Sequence, residues 1–423
     1  MFRGWCILVL SIFVAVVGVA EEEKRWFKGN THTHTLWSDG DAAPELVVDW
    51  YKSHGFDFLC ISEHNIFAAG HIQRWYPISE ETHLTPERVQ QLRERFGHDS
   101  VETKHEHGRD YMRLKTLPEL KDQFEEAGSF QMIPAQEITS NFPPVHVNAI
   151  NIRELAPAVN FVDTQEGFVA NLEFVRNQGE RFGVPTFAHF NHPNWSEGYR
   201  VEDTLPIDGP LTFEIFNGHP YVLNFGDAER HMVSNDRFWD IMLAIRLKRD
   251  PKNILYGIGV SDSHEYFKIG PKEANPGRGW TMVRAAALTP EALIESLNAG
   301  DFYASSGVML KGVESDAKSY TVSIDAEPGA KYETIFIGTR KGFDDNSSAI
   351  LDDDGKPRDD VTRQYSEEIG EVLLRTQDNP ATYTFSGDEM YVRAKVVSSK
   401  ELDNPFQEGG TQMAWTQPVL VSR

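Results

Sequence analysis

The chain has 423 residues, more than one ordinary hydrophobic core serves, so one large and one smaller domain is the expectation. Its 41 Lys and Arg against 64 Asp and Glu give a formal charge of -23. A surface of that sign repels phosphate backbones over a Debye length, which argues against a nucleic-acid partner, and 40% hydrophobic residues exclude a disordered chain.

Taken in chain order, residues 1–20 read as a secretory signal peptide. Arg3 supplies the positive start, Ile7 to Val19 an uncharged apolar run, and Gly18-Val19-Ala20 a small-residue cleavage site, with Glu21-Glu22-Glu23 ending the run. The run is short for a spanning helix, so a secreted or periplasmic protein with no membrane span after cleavage is expected. Cleavage after Ala20 removes Cys6 and leaves Cys60 alone, which excludes an intramolecular disulfide and a thiolate metal site.

From Trp26, strand-like and helix-like segments alternate. Trp26 to His34 reads as a strand, and Ala43 to His54 as a helix with Pro44 in its first turn and Gly55 as a stop. FDFLCIS is a short strand of the buried kind. A polar insert follows over residues 68–128; it carries five histidines and could cover a site or present a solvated face. The strands then resume as FQMIPAQEI, HVNAINI, VPTFAHF, LTFEIFN and ILYGIGVS, with helical patterns over Gly167 to Arg181 and Ala228 to Arg249. Such units imply an α/β fold with a mostly parallel sheet, and a barrel is favoured because polar motifs recur at the C-terminal ends of the strands. Beyond Gly307 the character changes to short strands, YTVSIDA, TIFIGTR, EVLLRT, TYTFSG, MYVRAKVVSS and PVLVSR, around the acidic loop Asp344 to Asp360. Residues 308–423 are therefore expected to form a small β-sandwich-like domain that adds stability rather than chemistry.

The chemistry lies in the strand-end motifs. His32-Thr33-His34 places two imidazoles on one strand face, and Ser38-Asp39-Gly40 sets a carboxylate on a turn beside them. Next come Ser62-Glu63-His64-Asn65, then Glu137, then His146, then His189-Phe190-Asn191-His192-Pro193. Asp262-Ser263-His264 supplies another same-face pair. Each motif alone could be turn chemistry or a core histidine; the six clusters together point to metal binding.

These motifs, HTHT with SDG, SEHN, QE followed by the distant His146, NHP and SDSH, resemble those of the PHP (polymerase and histidinol phosphatase) superfamily over about Asn30 to His264. FEIFNGHP, PGRGW and GDFYASSGV further resemble a secreted branch of PHP-like metallohydrolases to which carbamate or ester hydrolysis is sometimes attributed. The resemblance implies a distorted (β/α)7 barrel over residues 21–307 with a trinuclear metal centre. It implies that His32, His34, Glu137 and Asp262 hold one ion, that Asp39, His64 and His264 hold a second, and that His146 and His192 hold a third bridged by Glu137. Two positions depart from the pattern. Glu63 stands where the family has Asp, so if it orients His64 its longer arm must reach differently. The AHFNHP segment offers two candidate ligands, of which His192 precedes a proline as the family ligand does, leaving His189 as a core or supporting residue.

Six imidazoles and three carboxylates without a thiolate suit two or three ions of Zn, Mn or Fe, and disfavour Mg or Ca alone. Such ions lower the pKa of water from about 15.7 towards about 7 and can share a bridging hydroxide as nucleophile. Three divalent ions against three carboxylates leave a surplus of three positive charges, which suits a small anionic phosphomonoester. Two ions leave a surplus of one, which suits a neutral ester or carbamate. Phosphoester hydrolysis is the favoured activity, with Asp39, His64 and His264 carrying the reaction and Arg278 and His219 contacting the anion or leaving group. Ester or carbamate hydrolysis on the same centre is the alternative. A metal-dependent ligand-binding protein is a third reading, against which the complete ligand set argues.

Overall fold

The computed structural model describes residues 23–421 except 69–71, 158, 196–197 and 407–408. The expected signal peptide over 1–20 lies outside the described residues. Among the described residues no helix is long and apolar enough to cross a membrane.

Seven strands lie side by side in the order Leu255–Val260, Leu211–Asn217, Phe187–Phe190, Pro144–Ile150, Gln131–Asn141, Phe58–Ile61 and Arg25–Asn30. Most neighbours run parallel, and Phe58–Ile61 and Leu255–Val260 are apolar throughout, as strands covered on both faces tend to be. Pro144–Ile150 is antiparallel to both its neighbours. That reversal brings the beginning of this strand, where His146 sits, to the edge at which its parallel neighbours end.

The two margins of this row meet only past the strand ends. Asp262 N–H donates to the His32 carbonyl and His34 N–H to the Ser263 carbonyl, each at 3.0 Å, around a parallel bridge between Thr33 and Ser263. The strand bodies do not close a regular barrel, because the free edge of Arg25–Asn30 is taken by antiparallel Trp280–Ala285. The sheet is therefore mixed, rich in parallel neighbours, and joined to itself only where the ligand motifs lie.

From Trp280–Ala285 the same sheet continues through Phe302–Ser305, Thr411–Thr416, Glu389–Glu401, Tyr332–Arg340 and Glu371–Thr376. A second sheet of Leu310–Ser315, Ser319–Ile324 and Ala381–Thr384 shares a core with it through Tyr320, Val322, Phe336, Tyr383, Val392 and Ala394. Hydrogen bonding thus runs across residue 307 without a break, since Phe302–Ser305 pairs with Thr411–Thr416.

The helix Asn235–Arg249 begins later than its sequence pattern suggests, at Ser234, whose side chain accepts from Arg237 N–H as an N-cap. It carries no amphipathic stripe because it is covered on two sides. Trp239 packs with Phe213 and Leu255 of the strands, and the same cluster takes in Ile369, Tyr391 and Trp415 from the C-terminal part. Across this contact Arg393 forks onto Asp240 at 2.8 and 2.6 Å, both side chains buried, and also reaches Asp236 at 3.0 Å.

The insert folds into the strands Trp75–Ile78, Thr103–Glu106 and Arg109–Arg113 with the helix Pro86–Phe96. Its Val89, Leu92 and Met112 pack on Leu36 and Trp37, and Trp37 Nε1 donates to the Lys115 carbonyl at 2.8 Å. It therefore buttresses the turn that carries Asp39, and none of its described histidines joins a group of metal-ligating side chains.

Removing one partner of the buried pair leaves an uncompensated charge. Arg393→Ala is expected to destabilise the protein by about 3–5 kcal/mol in denaturant unfolding. A loss under about 1 kcal/mol would show that the pair does not hold the C-terminal part in place.

Candidate metal centre

Period-two alternation builds the floor of the site. Between His32 and His34, Thr33 turns the other way, where its hydroxyl meets Ser263 Oγ at 2.6 Å and Tyr266 Oη at 2.8 Å. Tyr51 Oη adds a bond to Ser263 Oγ at 2.8 Å. This buried hydroxyl cluster rivets the two motif segments together while His32, His34, Asp262 and His264 face a common space. Gly40 folds the SDG turn tightly over the pair; a Cβ there would lie 2.8 Å from the His34 carbonyl.

Donor atoms of His32, His34 and Glu137 converge there, with Asp262 beside them. His32 Nε2 lies 3.2 Å from Glu137 Oε2 and 3.1 Å from Asp262 Oδ1, and His34 Nε2 lies 3.3 Å from each of the same two oxygens. Four ligands placed at roughly 2.0–2.1 Å around one ion in a tetrahedron are about 3.3–3.4 Å apart. The histidine-to-carboxylate separations thus match those around a divalent ion; His32, His34 and Glu137 form the group that could share one, and Asp262 adjoins it. His34 Nε2 is buried yet too poorly aimed at either carboxylate to form a hydrogen bond, as suits a nitrogen directed at a cation.

The cage is held from behind by residues the sequence reading did not single out. Glu214, fully buried, accepts from or shares a proton with His32 Nδ1 at 2.7 Å, which aims Nε2 at the cage. It also accepts from His192 N–H at 2.7 Å and from Asn217 Nδ2 at 2.8 Å, and Asn217 Nδ2 donates on to Asp262 Oδ2 at 2.9 Å. Asn191 Nδ2 donates to Glu137 Oε1 at 2.8 Å. The one sequence signal for Glu214 is a lone carboxylate inside the otherwise uncharged strand LTFEIFN.

Two further donor groups overlap the first. Half-exposed Asp39 lies 3.5 Å from His64 Nε2, 3.5 Å from His264 Nε2 and 3.6 Å from His34 Nδ1. Glu137 also meets His64 Nδ1 at 3.1 Å and His146 Nδ1 at 2.7 Å. The groups share His34, His64 and Glu137, so three groups need not mean three ions. His192 stands at the rim, Nε2 at 3.7 Å from Glu137 Oε1 and its ring 5.0 Å from His146. His192 and Asp262 both hold positive φ, of 22° and 47°, the backbone strain that functional positions carry. His189 turns away, its Nε2 at 3.1 Å from Thr31 Oγ1 in the core.

Three expected residues are placed differently or refined. Glu63 does not touch His64; it accepts from Thr35 N–H and Oγ1 at 3.2 and 2.6 Å and from Ser38, so it braces the Asp39 turn. His64 Nδ1 is fixed by Thr139 Oγ1 at 2.7 Å instead. Arg278 faces away from an anion site: its guanidinium donates to the carbonyls of Asn404, Gly218, Glu273 and Gly270 at 2.6–3.1 Å, which leaves it a structural clamp. His219 does border the cluster, its ring 5.4 Å from His264, and its Nδ1 accepts from Tyr221 N–H at 3.2 Å.

Charge follows from this packing. Burial pushes the Glu137 and Asp262 carboxyls up, but neighbouring histidines, His64 and His32 for the first and His32 and His34 for the second, hold both well below the usual range. Burial likewise pushes His32 and His34 down, and is outweighed by Asp262 and Glu137; His32 rises well above its ordinary value and His34 to about 10. For His64 and His189 burial prevails over Glu137 and Glu214 respectively, bringing both to about 4, and it brings His219 to about 3. In the metal-free protein, protons on His32 and His34 therefore provide the positive charge that a cation would bring.

No family model and no curated protein matches the chain. Among solved structures it is similar to a two-domain protein from Bacteroides vulgatus described as containing a predicted PHP-like metal-dependent phosphoesterase. The two share 16% identity over 94% of this chain and 96% of that one, with a TM-score of 0.39.

His192→Ala is expected to lower metal content by about one equivalent or less, and His189→Ala to leave it unchanged while lowering stability. Mass spectrometry of the two purified variants checks this, and equal loss in both would reject the distinction. A second expectation concerns pH. His34, raised from 6.5 to about 10, contributes stability to the metal-free protein fully below pH 6.5, and this is lost as pH rises through about 10. Ion binding needs that imidazole neutral, so loading near neutral pH should release protons and tighten as pH rises. Thermal melts across the window, with and without metal, and calorimetry in two buffers of unlike ionisation enthalpy measure both effects.

Proposed function

We propose that this chain is an exported metal-dependent hydrolase of the PHP type, acting on a phosphoester through two or three ions of Zn, Mn or Fe. The observation that carries the reading is the buried group of His32, His34 and Glu137 with Asp262 beside it, each histidine Nε2 3.1–3.3 Å from the carboxylate oxygens and His34 Nε2 left without a hydrogen bond. Ions held there and by Asp39, His64, His146, His192 and His264 would supply Lewis acidity and activate water near neutral pH. The protein's own part is to position. Glu214 fixes the nitrogen that His32 presents, and Asn191 and Asn217 fix the carboxylates. His219, neutral and accepting through Nδ1, keeps its Nε2–H for a substrate oxygen. Burial would raise the Asp39 carboxyl, but His264, His34 and His64 hold it well below the usual carboxylate range, so it stays ionised as a ligand.

Ester or carbamate hydrolysis is the second reading, and Glu214 is what favours it. Counting Asp39, Glu137, Asp262 and Glu214 as negative, three divalent ions leave a surplus of two positive charges and two ions leave none. A dianionic substrate therefore requires the third ion, and Arg278 is not there to substitute for it.

The test is turnover of aryl phosphate, aryl acetate and aryl carbamate by the purified full chain, with metal content measured on the same preparation. Chelation is expected to abolish turnover and Zn, Mn or Fe(II) to restore it. Glu214→Gln is expected to weaken metal binding about 10–100-fold. Turnover that persists undiminished in metal-free protein would overturn the proposal.

A further inference from the structure

The donor cluster opens into more room than a small phosphomonoester fills. A narrow space of about 80 Å³, walled by His146, Asn191 and His192, shares Pro144, Trp195, Gly198 and Tyr199 with a cavity of about 760 Å³. Cavities that take drug-sized molecules run from about 300 to 1,000 Å³. The far wall of this one is Arg358, Asp360, Val361 and Thr362, from the C-terminal part of the chain. That wall is anchored: Thr362 Oγ1 accepts from Val201 N–H at 3.2 Å, and Tyr365 Oη donates to Glu202 at 3.0 Å. Arg358 forks onto Asp360 and donates to the Arg230 carbonyl at 3.2 Å, tying the wall to the opposite bank.

Its lining indicates the chemistry of an occupant. Phe142 leaves 73% of its surface in water at the cavity, an apolar ring without a partner. Trp195 is half-buried between the His192 and His219 rings, at 4.9 and 4.6 Å, and lines both spaces. Tyr199, only 7% exposed, lines both as well through its ring, while its hydroxyl is buried in the core away from the cavity. Aromatic surface of this kind suits a flat ring.

We propose that the non-reacting part of the substrate is such an aromatic body, seated in this cavity against Trp195 and Phe142, and that the Arg358–Thr362 segment selects it by bounding the far side. The inference rests on the hydrolase reading only for the position of the scissile bond, in the neck beside His146 and His192. Hydrolysis there breaks the bond between the aryl oxygen and the phosphoryl or acyl centre. The hydroxyl of water goes to that centre and its proton to the aryl oxygen, which leaves a phenol in the cavity.

The test uses the full chain, 4-methylumbelliferone as a stand-in for the phenol, and Val361→Trp to fill the cavity from its far wall. Calorimetry should show wild-type binding of 4-methylumbelliferone, weakened about tenfold or more in Val361→Trp. Phe142→Ala, which removes an exposed ring and serves should the bulkier variant not fold, should weaken it about threefold or more. The kcat/KM ratio of 4-methylumbelliferyl phosphate to methyl phosphate, and of the matching acetates, should fall about tenfold in Val361→Trp. No wild-type binding, or binding and ratios unaltered in the folded variants, would overturn the inference. Binding that is lost in Val361→Trp while no ester of either kind is hydrolysed would sustain the cavity and sink the hydrolase reading.

Discussion

A carboxylate withdrawn from water without a counter-charge costs several kcal/mol, and this chain withdraws Glu137, Asp262 and Glu214 together. Around them stand His32, His34, His189 and His192, all buried too. The group can be accommodated only if positive charge accompanies it, as protons on imidazoles or as metal ions. Charge balance in this small volume therefore constrains the rest. It sets which histidines are raised and which are not, since His32 and His34 sit against the carboxylates while His189 and His219 answer mainly to burial.

The scaffold serves that balance by bringing strand ends to one edge and pinning them there. Backbone bonds between His32–His34 and Asp262–Ser263 join the margins of the sheet at the cage and nowhere else among the strands on either side. The hydroxyls of Thr33, Tyr51, Ser263 and Tyr266 lock the reverse face of the same two segments. Since their relative position decides the cage dimensions, a small shift here would misplace donors by amounts that metal coordination does not tolerate. The insert belongs to the same system, because its core includes Leu36 and Trp37, just before Asp39.

The C-terminal part is bound into this arrangement rather than appended to it. Its strands prolong the sheet, its Arg393 meets Asp236 and Asp240 across a buried contact, and its Arg358–Thr362 segment borders the cavity beside the donors. The end of the acidic loop Asp344 to Asp360 thus lies against the cavity of about 760 Å³ beside the candidate centre.

What the sequence determined by itself is the set of donors and their order. The period-two repeat puts His32 with His34 and Asp262 with His264 on a common face, and the motifs could be placed at strand ends before any contact was known. Both pairs nevertheless lie just past the strands, and Asp262 turns at a φ of 47°. The helices Pro44–Ser53 and Thr164–Phe182 and most N-terminal strands were legible for the same local reason. The tertiary structure alone decided what each side chain reaches. Glu63 and Arg278 carry suitable chemistry but are drawn to Thr35 and to backbone carbonyls, whereas Glu214, hidden in an apolar strand, faces His32. Nor could local pattern show that Phe302–Ser305 pairs with Thr411–Thr416, or that Pro144–Ile150 runs against its neighbours. Periodicity is a property of consecutive residues and is written in the chain; hydrogen-bond partners and charge balance depend on groups that meet only once it has folded.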